Sequence, residues 1–457
     1  MAGIAVIGAG MGSLAAAARL ATAGHRVTVY ERSATYGGGV ARFERDGFGF
    51  DTGPGLLHLP AVYRDLFIKT GKGGKEPLEQ CVSLTQVDPA SRHVFADGTS
   101  VSLPNASRGG VAAALDAALG PGAGERWNGL LGRAREVWEA TRRPLLEDAL
   151  AQDVSPLGRD PYPALRRPLR RRPTTLAEVG RRELRDPRLA ALLGSYAQAY
   201  GFDPATVPAS AAVLPYMEQT FGTWYVGGGM RALADAVYER CLARGVEFRF
   251  GAEVSGEVLE KAGRAAGVEL ADGTRVEADA VVSGVPPREH DGTGTGTGTE
   301  TGRLVVCLAL RGARGADAVH RTVVHDERHV VTVLRPDDPA LRPDEGHEAV
   351  TLTVTVPAPS PAPVDADRLL ALVEAAVPEL RLGERLLWRE LRPSPGPVSR
   401  PALAGAGGAF LHPANRSPLP GLYRVGGWSH PGGGLAHTGM SAAIVADLIA
   451  GGPGGSR

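Results

Sequence analysis

IAVIGAGMGSLAAAARLATAGHRVTVYE, residues 4–31, is the stretch on which the reading of the fold turns. Ile4 to Ile7 is a short apolar run of the kind that forms a buried strand. Glycines then crowd the turn. Leu14 to Ala23 is rich in small residues and reads as a helix closed by Gly24, and Val27 to Tyr30 reads as a second strand. Gly8-Ala9-Gly10-Met11-Gly12-Ser13 fits the pattern GxGxx(G/A) with serine in the last place. The first glycine allows a tight turn, the second lets a pyrophosphate approach the backbone, and the last small residue lets helix and strand pack closely. The helix N-terminus would aim free N–H groups and its positive dipole end at phosphate. Glu31, with Arg32 beside it, stands at the end of the second strand, where an acid accepts ribose hydroxyls. A Rossmann-like α/β nucleotide-binding domain is predicted.

Glu31 suits either NAD or FAD. A second cluster, Gly37-Gly38-Gly39, favours the larger cofactor, because a plain dehydrogenase has no need for backbone to come close there. The C-terminal segment VGGWSHPGGG, residues 425–434, points the same way. It includes Gly426, Gly427, His430, Pro431 and Gly432, and a helix is predicted after it from near Gly439 and Met440. Its three consecutive glycines suit a backbone lying against a flat ring, and the helix N-terminus would favour negative charge on a reduced flavin.

The chain has 457 residues, which predicts two lobes. Lys+Arg and Asp+Glu both number 50, so nothing calls for nucleic acid as a partner. Three scattered cysteines make neither a disulfide framework nor a metal site and suggest a reducing compartment. The first apolar run lacks a basic lead and is broken by Gly8, so it is not read as a signal peptide. No uncharged stretch reaches the ~20 apolar residues that span a bilayer.

Alternation over residues 81–103 predicts a small antiparallel sheet. Helices are predicted over Val111–Leu119, Glu125–Arg143 and Leu176–Tyr200, and again over Met230–Ala243 with Gly245 as its stop. A strand meander follows with a hairpin at Asp272-Gly273, and a strand-rich region runs from Leu304 to Val356. The repeat DGTGTGTGTETG, residues 291–302, reads as a flexible loop, and RRPLRRRP, residues 166–173, as either a solvated loop or a contact with anionic membrane. Residues 1–80, 222–290 and 415–457 are therefore assigned to the FAD-binding domain, and 81–221 and 303–414 to an inserted α+β substrate-binding domain.

Five stretches together carry a family likeness: VIGAGMGSLAAAARLATAGHRVTVYERSATYGGG (6–39), GFGFDTGPGLLHLP (47–60), WYVGGGMRALADAV (224–237), LRPDDPALRPDEGHEAVTLTVTVPAP (334–359) and GLYRVGGWSHPGGG (421–434). The chain resembles the FAD-dependent phytoene desaturase (carotenoid desaturase-like) branch of the flavin amine oxidase superfamily. The resemblance implies FAD held by Gly8, Gly10, Met11, Gly12, Ser13, Glu31, Arg32, Gly37, Gly38 and Gly39. It places Asp51, Gly53, Pro54 and the glycines at 227–229 beside the flavin, and Val254 against adenine through its backbone. Gly426, Gly427, His430, Pro431, Gly432, Gly439 and Met440 would lie near the ring and ribityl chain. Ser13, Gly39 and Gly55 depart from the residues usual in the family, as does the short chain, and these departures bear on substrate identity.

Desaturation removes a hydride from one carbon and a proton from its neighbour. Alkyl C–H bonds are not acidic, so a flavin takes the hard step and the protein chiefly needs an apolar tunnel. No serine–histidine–acid pattern and no metal-ligand spacing appears. His430, His437, Tyr225 and Glu218 are the residues that could accept the proton; each reads more readily as structural, and His430 is favoured for its place in the glycine loop. No second GxGxxG turn follows a strand, so reoxidation falls to an external acceptor, a quinone or oxygen. The expected protein is a cytoplasmic FAD oxidoreductase acting on a hydrophobic small molecule, either soluble or peripheral on the inner face of the cell membrane. Two alternatives stand beside desaturation: a tailoring enzyme that reduces, isomerises or cyclises a polyene, and a degenerate flavoprotein acting as a binding module.

Overall fold

Five parallel strands form the sheet that the opening sequence predicts. They are β1 (Gly3–Ile7), β2 (Arg26–Glu31), β3 (Glu247–Phe250), β4 (Ala280–Ser283) and β5 (Leu422–Arg424). The computed structural model describes residues 1–74, 76–164, 173–286, 300–326, 329–358, 365–393 and 398–451. The strand order is β3-β2-β1-β4-β5. The order reverses at β1, and the carboxyl end of the strand at such a reversal is where open α/β sheets bind ligands.

Helix α1 (Met11–Thr22) starts three residues before the predicted Leu14, because Gly10 already serves as its extended N-cap. Its alanines at 15–18 are fully buried between the sheet and two further helices, α2 (Met230–Ala243) and α3 (Leu435–Ala450). Small side chains let the three helices approach closely, and the Cys241 thiol on α2 donates to the Leu14 carbonyl at 3.2 Å. The opposite face of the sheet is covered by an antiparallel meander, Val254–Lys261, Arg264–Leu270 and Arg275–Glu277, packed on Ala5, Ile7, Tyr30 and Val281. Its hairpin turns at Gly273, as the sequence predicts.

The second sheet has seven strands. Glu300–Arg311, His347–Ala358, Val330–Leu334 and Arg321–His325 form its antiparallel middle, with Leu386–Pro393 along one edge. Residues alternate between its faces. One set, including Val306, Leu308, Leu352 and Val354, packs on the helix Ala366–Ala376. The other set faces Phe48 and Phe50 at one end and a large cavity over the rest. A buried pairing of Glu348 with Arg335 (2.7 Å) and Arg385 (2.9 Å) holds the far end.

The small sheet expected over residues 81–103 does not stand alone. Leu84–Gln86 pairs with Thr223–Val226, while Ser91–Val94 and Ser100–Leu103 form a hairpin that joins the seven-stranded sheet beside Arg321–His325. Alternation reveals a strand but not its partner. The helix expected over 176–200 is also broken: Arg185 is left-handed, and Asp186 caps a new helix, Pro187–Gln198, through the N–H groups of Arg188 and Leu189. The loop expected over 291–302 lies mostly outside the described residues, and Glu300–Gly302 belong to a strand. The arginine run at 166–173 lies outside them too, save Pro173. Among the described residues the three cysteines are free, and no helix is long and apolar enough to cross a membrane.

Candidate active site

At the carboxyl end of β1 the two glycine clusters turn out to be one structure. Gly37 N–H donates to the Ala9 carbonyl at 2.8 Å, and Gly10 and Gly37 form a β-bridge. A side chain at Gly38 would lie 3.0 Å from the Gly10 Cα, and one at Gly37 would lie 2.6 Å from the Val40 carbonyl. Gly12 is held to glycine by the C-terminal loop, since a Cβ there would stand 2.7 Å from the Gly426 Cα. Gly10 and Gly39 differ: a Cβ on either meets no atom within 4 Å. Both open onto the cavity, so the space above them is not filled by protein.

The surroundings of that space suit a dinucleotide. Leu14 N–H makes the first α1 hydrogen bond, to the Gly10 carbonyl at 2.9 Å, so the N–H groups of Met11, Gly12 and Ser13 have no helical partner. Ser13 Oγ is buried without a partner. The Glu31 carboxylate is fixed by the Ala9 N–H at 2.7 Å and by the Ser33 N–H and hydroxyl at 2.8 Å. Gly8, Arg32, Gly53, Pro54, Val254, Gly426 and Gly427 share the same wall.

The cavity encloses about 1370 Å³ and continues past Leu56 into a chamber. One wall is the seven-stranded sheet, through Arg303, Thr353, Thr355, Thr332, Val323 and Arg321. The other is helical, through Tyr196, Tyr200, Met217 and Glu218. Charged side chains stand among the apolar surface of this chamber. Glu218 lies 2.6 Å from Arg321 and 3.7 Å from His58. Burial pushes the Glu218 carboxyl up, but Arg321 and His58 together hold it below its ordinary pKa. Burial also lowers His58.

Several residues expected beside the cofactor lie elsewhere. Asp51 does not line the cavity; its carboxylate caps α2, accepting from the Met230 N–H at 2.7 Å. The turn at 227–229 is bound to that cap and to Asp338, which accepts from the Gly228 N–H and the Tyr225 hydroxyl. His430 is fully buried, with Nε2 donating to the Asp148 carbonyl at 3.0 Å, and burial lowers its pKa to about 4. It faces the Asp148 carbonyl rather than the cavity. Pro431 and Gly432 are buried off the cavity, because Gly432 packs against the Arg400 carbonyl. Gly439 packs α3 on Val62, and Met440 joins Leu59, Val62 and Leu146. The wall holds instead His437, in the first turn of α3, which the sequence offers as an alternative, and His58, which sequence reasoning misses. Arg303 and Arg321 are missed as well; an arginine inside an apolar strand is the signal that could have found them.

Asp51 yields a pH prediction. Burial, partly offset by the two α2 N–H groups, raises its pKa to about 6. A carboxyl raised in the folded state stabilises when protonated, so its contribution is full below pH ~4 and is lost as pH rises towards ~6. Asp51→Asn is expected to flatten the stability profile across that window, by on the order of 2 kcal/mol, in urea titrations of the apoprotein.

The family model for flavin containing amine oxidoreductase matches residues 14–291. The chain belongs to that family. It is an FAD-dependent oxidoreductase. It is 30% identical to the hydroxyneurosporene desaturase of Cereibacter sphaeroides over 97% of this chain and 98% of that one. It is 29% identical to the 4,4'-diapolycopene oxygenase of a Methylomonas species over 97% of each. An oxidoreductase from Methanosarcina mazei has the same fold, with a TM-score of 0.68 at 19% identity over 97% of this chain and all of that one.

Proposed function

We propose that this flavoenzyme desaturates a carotenoid or a similar polyene. The observation that carries the reading is the continuous cavity of about 1370 Å³ shared by the cradle and the chamber. Ligand pockets usually measure about 300–1,000 Å³, so there is room for a dinucleotide and part of a long substrate together. The names of the two carotenoid-acting relatives support the substrate class.

Gly8, Gly10, Met11, Gly12 and Ser13 would hold the pyrophosphate, and Glu31 with Arg32 the adenosine ribose. Gly37–Gly39, Gly53, Pro54, Val254, Gly426 and Gly427 would complete the FAD site. Bound flavin supplies the hydride acceptor. The chain's own part is then to lay the polyene along the chamber and to accept a proton. His437 is suited to the proton transfer, because it lines the cavity and burial lowers its pKa to about 4, so its ring is neutral at pH 7. A proton beside an allylic cation is acidic enough for so weak a base. The two sheets support a division into a segmented FAD domain and an inserted substrate domain. A quinone or oxygen would reoxidise the flavin, and peripheral membrane contact would give access to a lipid-soluble substrate.

Purified FAD-loaded protein, incubated with liposomes carrying an acyclic carotenoid precursor and a soluble quinone, is expected to yield a product absorbing at longer wavelength. An unchanged polyene beside a flavin that dithionite still reduces would discard desaturation in favour of another polyene-modifying reaction.

A further inference from the structure

Arg303 is the anomaly of the chamber. It sits on the strand Glu300–Arg311, directly across from Thr355, on the sheet face that lines the cavity. Its Nε is buried with no hydrogen-bond partner, and among the described residues no carboxylate lies within ion-pairing distance of it. Burial pulls its pKa below the ordinary value, and the neighbouring Tyr200 is the opposing influence. A guanidinium cannot shed its charge at physiological pH, so this is a half-buried cation on the cavity wall with no carboxylate opposite it among the described residues.

The chamber's charge count isolates it. Glu218 and Arg321 cancel each other at 2.6 Å. His58 and His437 are both lowered by burial and are neutral at pH 7. Arg303 stands three strands away from Arg321 and four residues along the strand direction, about 14 Å by about 13 Å, so Glu218 does not serve it. Tyr200 lines the same corner, and its hydroxyl has no hydrogen-bond partner among the described residues. The corner thus offers a positive fork and a hydroxyl donor, beside threonines and apolar surface. The geometry matches a planar anion, which a guanidinium binds through two parallel hydrogen bonds.

We propose that Arg303, with the Tyr200 hydroxyl, is the recognition site for a carboxylate on the substrate, so that the preferred substrates are polyene acids rather than hydrocarbons. The proposal rests on the polyene reading above and narrows it. It also assigns a reason for the mixed wall: the chamber grips an apolar chain along Val323 and Met217 and fixes its charged end at Arg303. An upstream oxidation of a terminal carbon to the acid level is the class of reaction that would supply such a substrate.

The test is a pair of titrations on the FAD-loaded protein, using all-trans-retinoic acid and its methyl ester as probes and protein fluorescence quenching as readout. The acid is expected to bind at least about tenfold tighter than the ester, as a charge-assisted hydrogen bond would give. Arg303→Gln is expected to bring the acid down to the ester's affinity and leave the ester and the bound FAD unchanged. Arg303→Lys is expected to keep part of the preference, since it retains the charge but not the fork. Equal binding of acid and ester to the native protein, a comparison that needs no variant, overturns the role of Arg303 and leaves the polyene reading standing. Loss of FAD from Arg303→Gln also overturns it, by placing the guanidinium on the cofactor. Binding of neither probe to a flavin-loaded protein overturns the polyene reading and this proposal together.

Discussion

Gly10→Val yields a protein that folds and melts like the native apoprotein but retains little FAD, whereas Gly12→Val lowers both FAD retention and stability. This is the expected result because the two glycines are glycine for different reasons. At Gly10 the backbone is an ordinary extended one with φ −72°, and a Cβ there meets no protein atom within 4 Å. A branched side chain can occupy that space in the apoprotein but not beside a pyrophosphate. At Gly12 the added Cβ would stand 2.7 Å from the Gly426 Cα, 3.0 Å from its nitrogen and 3.0 Å from Thr438. Backbone cannot move aside cheaply, and overpacking of this kind costs about 1–3 kcal/mol. The same range at Gly10 corresponds to about a tenfold to hundredfold loss of FAD affinity. Thermal melts with and without added FAD separate the two effects. A Gly10→Val protein that keeps its full complement of FAD would refute the placement of the pyrophosphate.

The second large effect is expected at Glu218→Ala. Removing that carboxylate leaves Arg321, itself nearly buried, without its 2.6 Å partner. Breaking a buried pair in this way costs about 3–5 kcal/mol. The sign of the pH dependence follows from the depressed carboxyl. Its stabilising contribution is complete above the ordinary, unfolded-state pKa of 4.5 and is lost as pH falls through the lower folded value. Urea unfolding at pH 7 is expected to show the full loss, and the gap between native and variant is expected to narrow as pH falls below 4.5. A constant gap down to pH ~3 would show that packing rather than charge sets the cost.

How much of this is legible in the residues varies by element. The βαβ start, the carboxylate at Glu31 and the meander are readable because glycine turns and apolar alternation are local signals. The partner of residues 91–103 is not, because the sheet they join is completed more than two hundred residues later, at Arg321–His325. The triple glycine at 432–434 shows a different limit. Those glycines are expected from sequence to make way for a flat ring, yet Gly432 and Gly433 make way for the backbone of Arg400 and Ser399. A glycine reports that something comes close, not what it is. Asp51 and His430 show the same limit: both have partners set by tertiary packing, the α2 N-terminus and the Asp148 carbonyl. The charged corners of the chamber stay hidden because strand alternation gives two faces and does not say which one faces the cavity.

The most direct test of the central claim, that one cavity brings FAD and a polyene together for oxidation, is an anaerobic single turnover. FAD-loaded protein would be mixed with a limiting amount of polyene in liposomes, with no acceptor present, and the flavin and polyene bands followed together. The account expects the flavin band to bleach one for one with a shift of the polyene to longer wavelength. A flavin that stays oxidised while the polyene is bound and unchanged would contradict it.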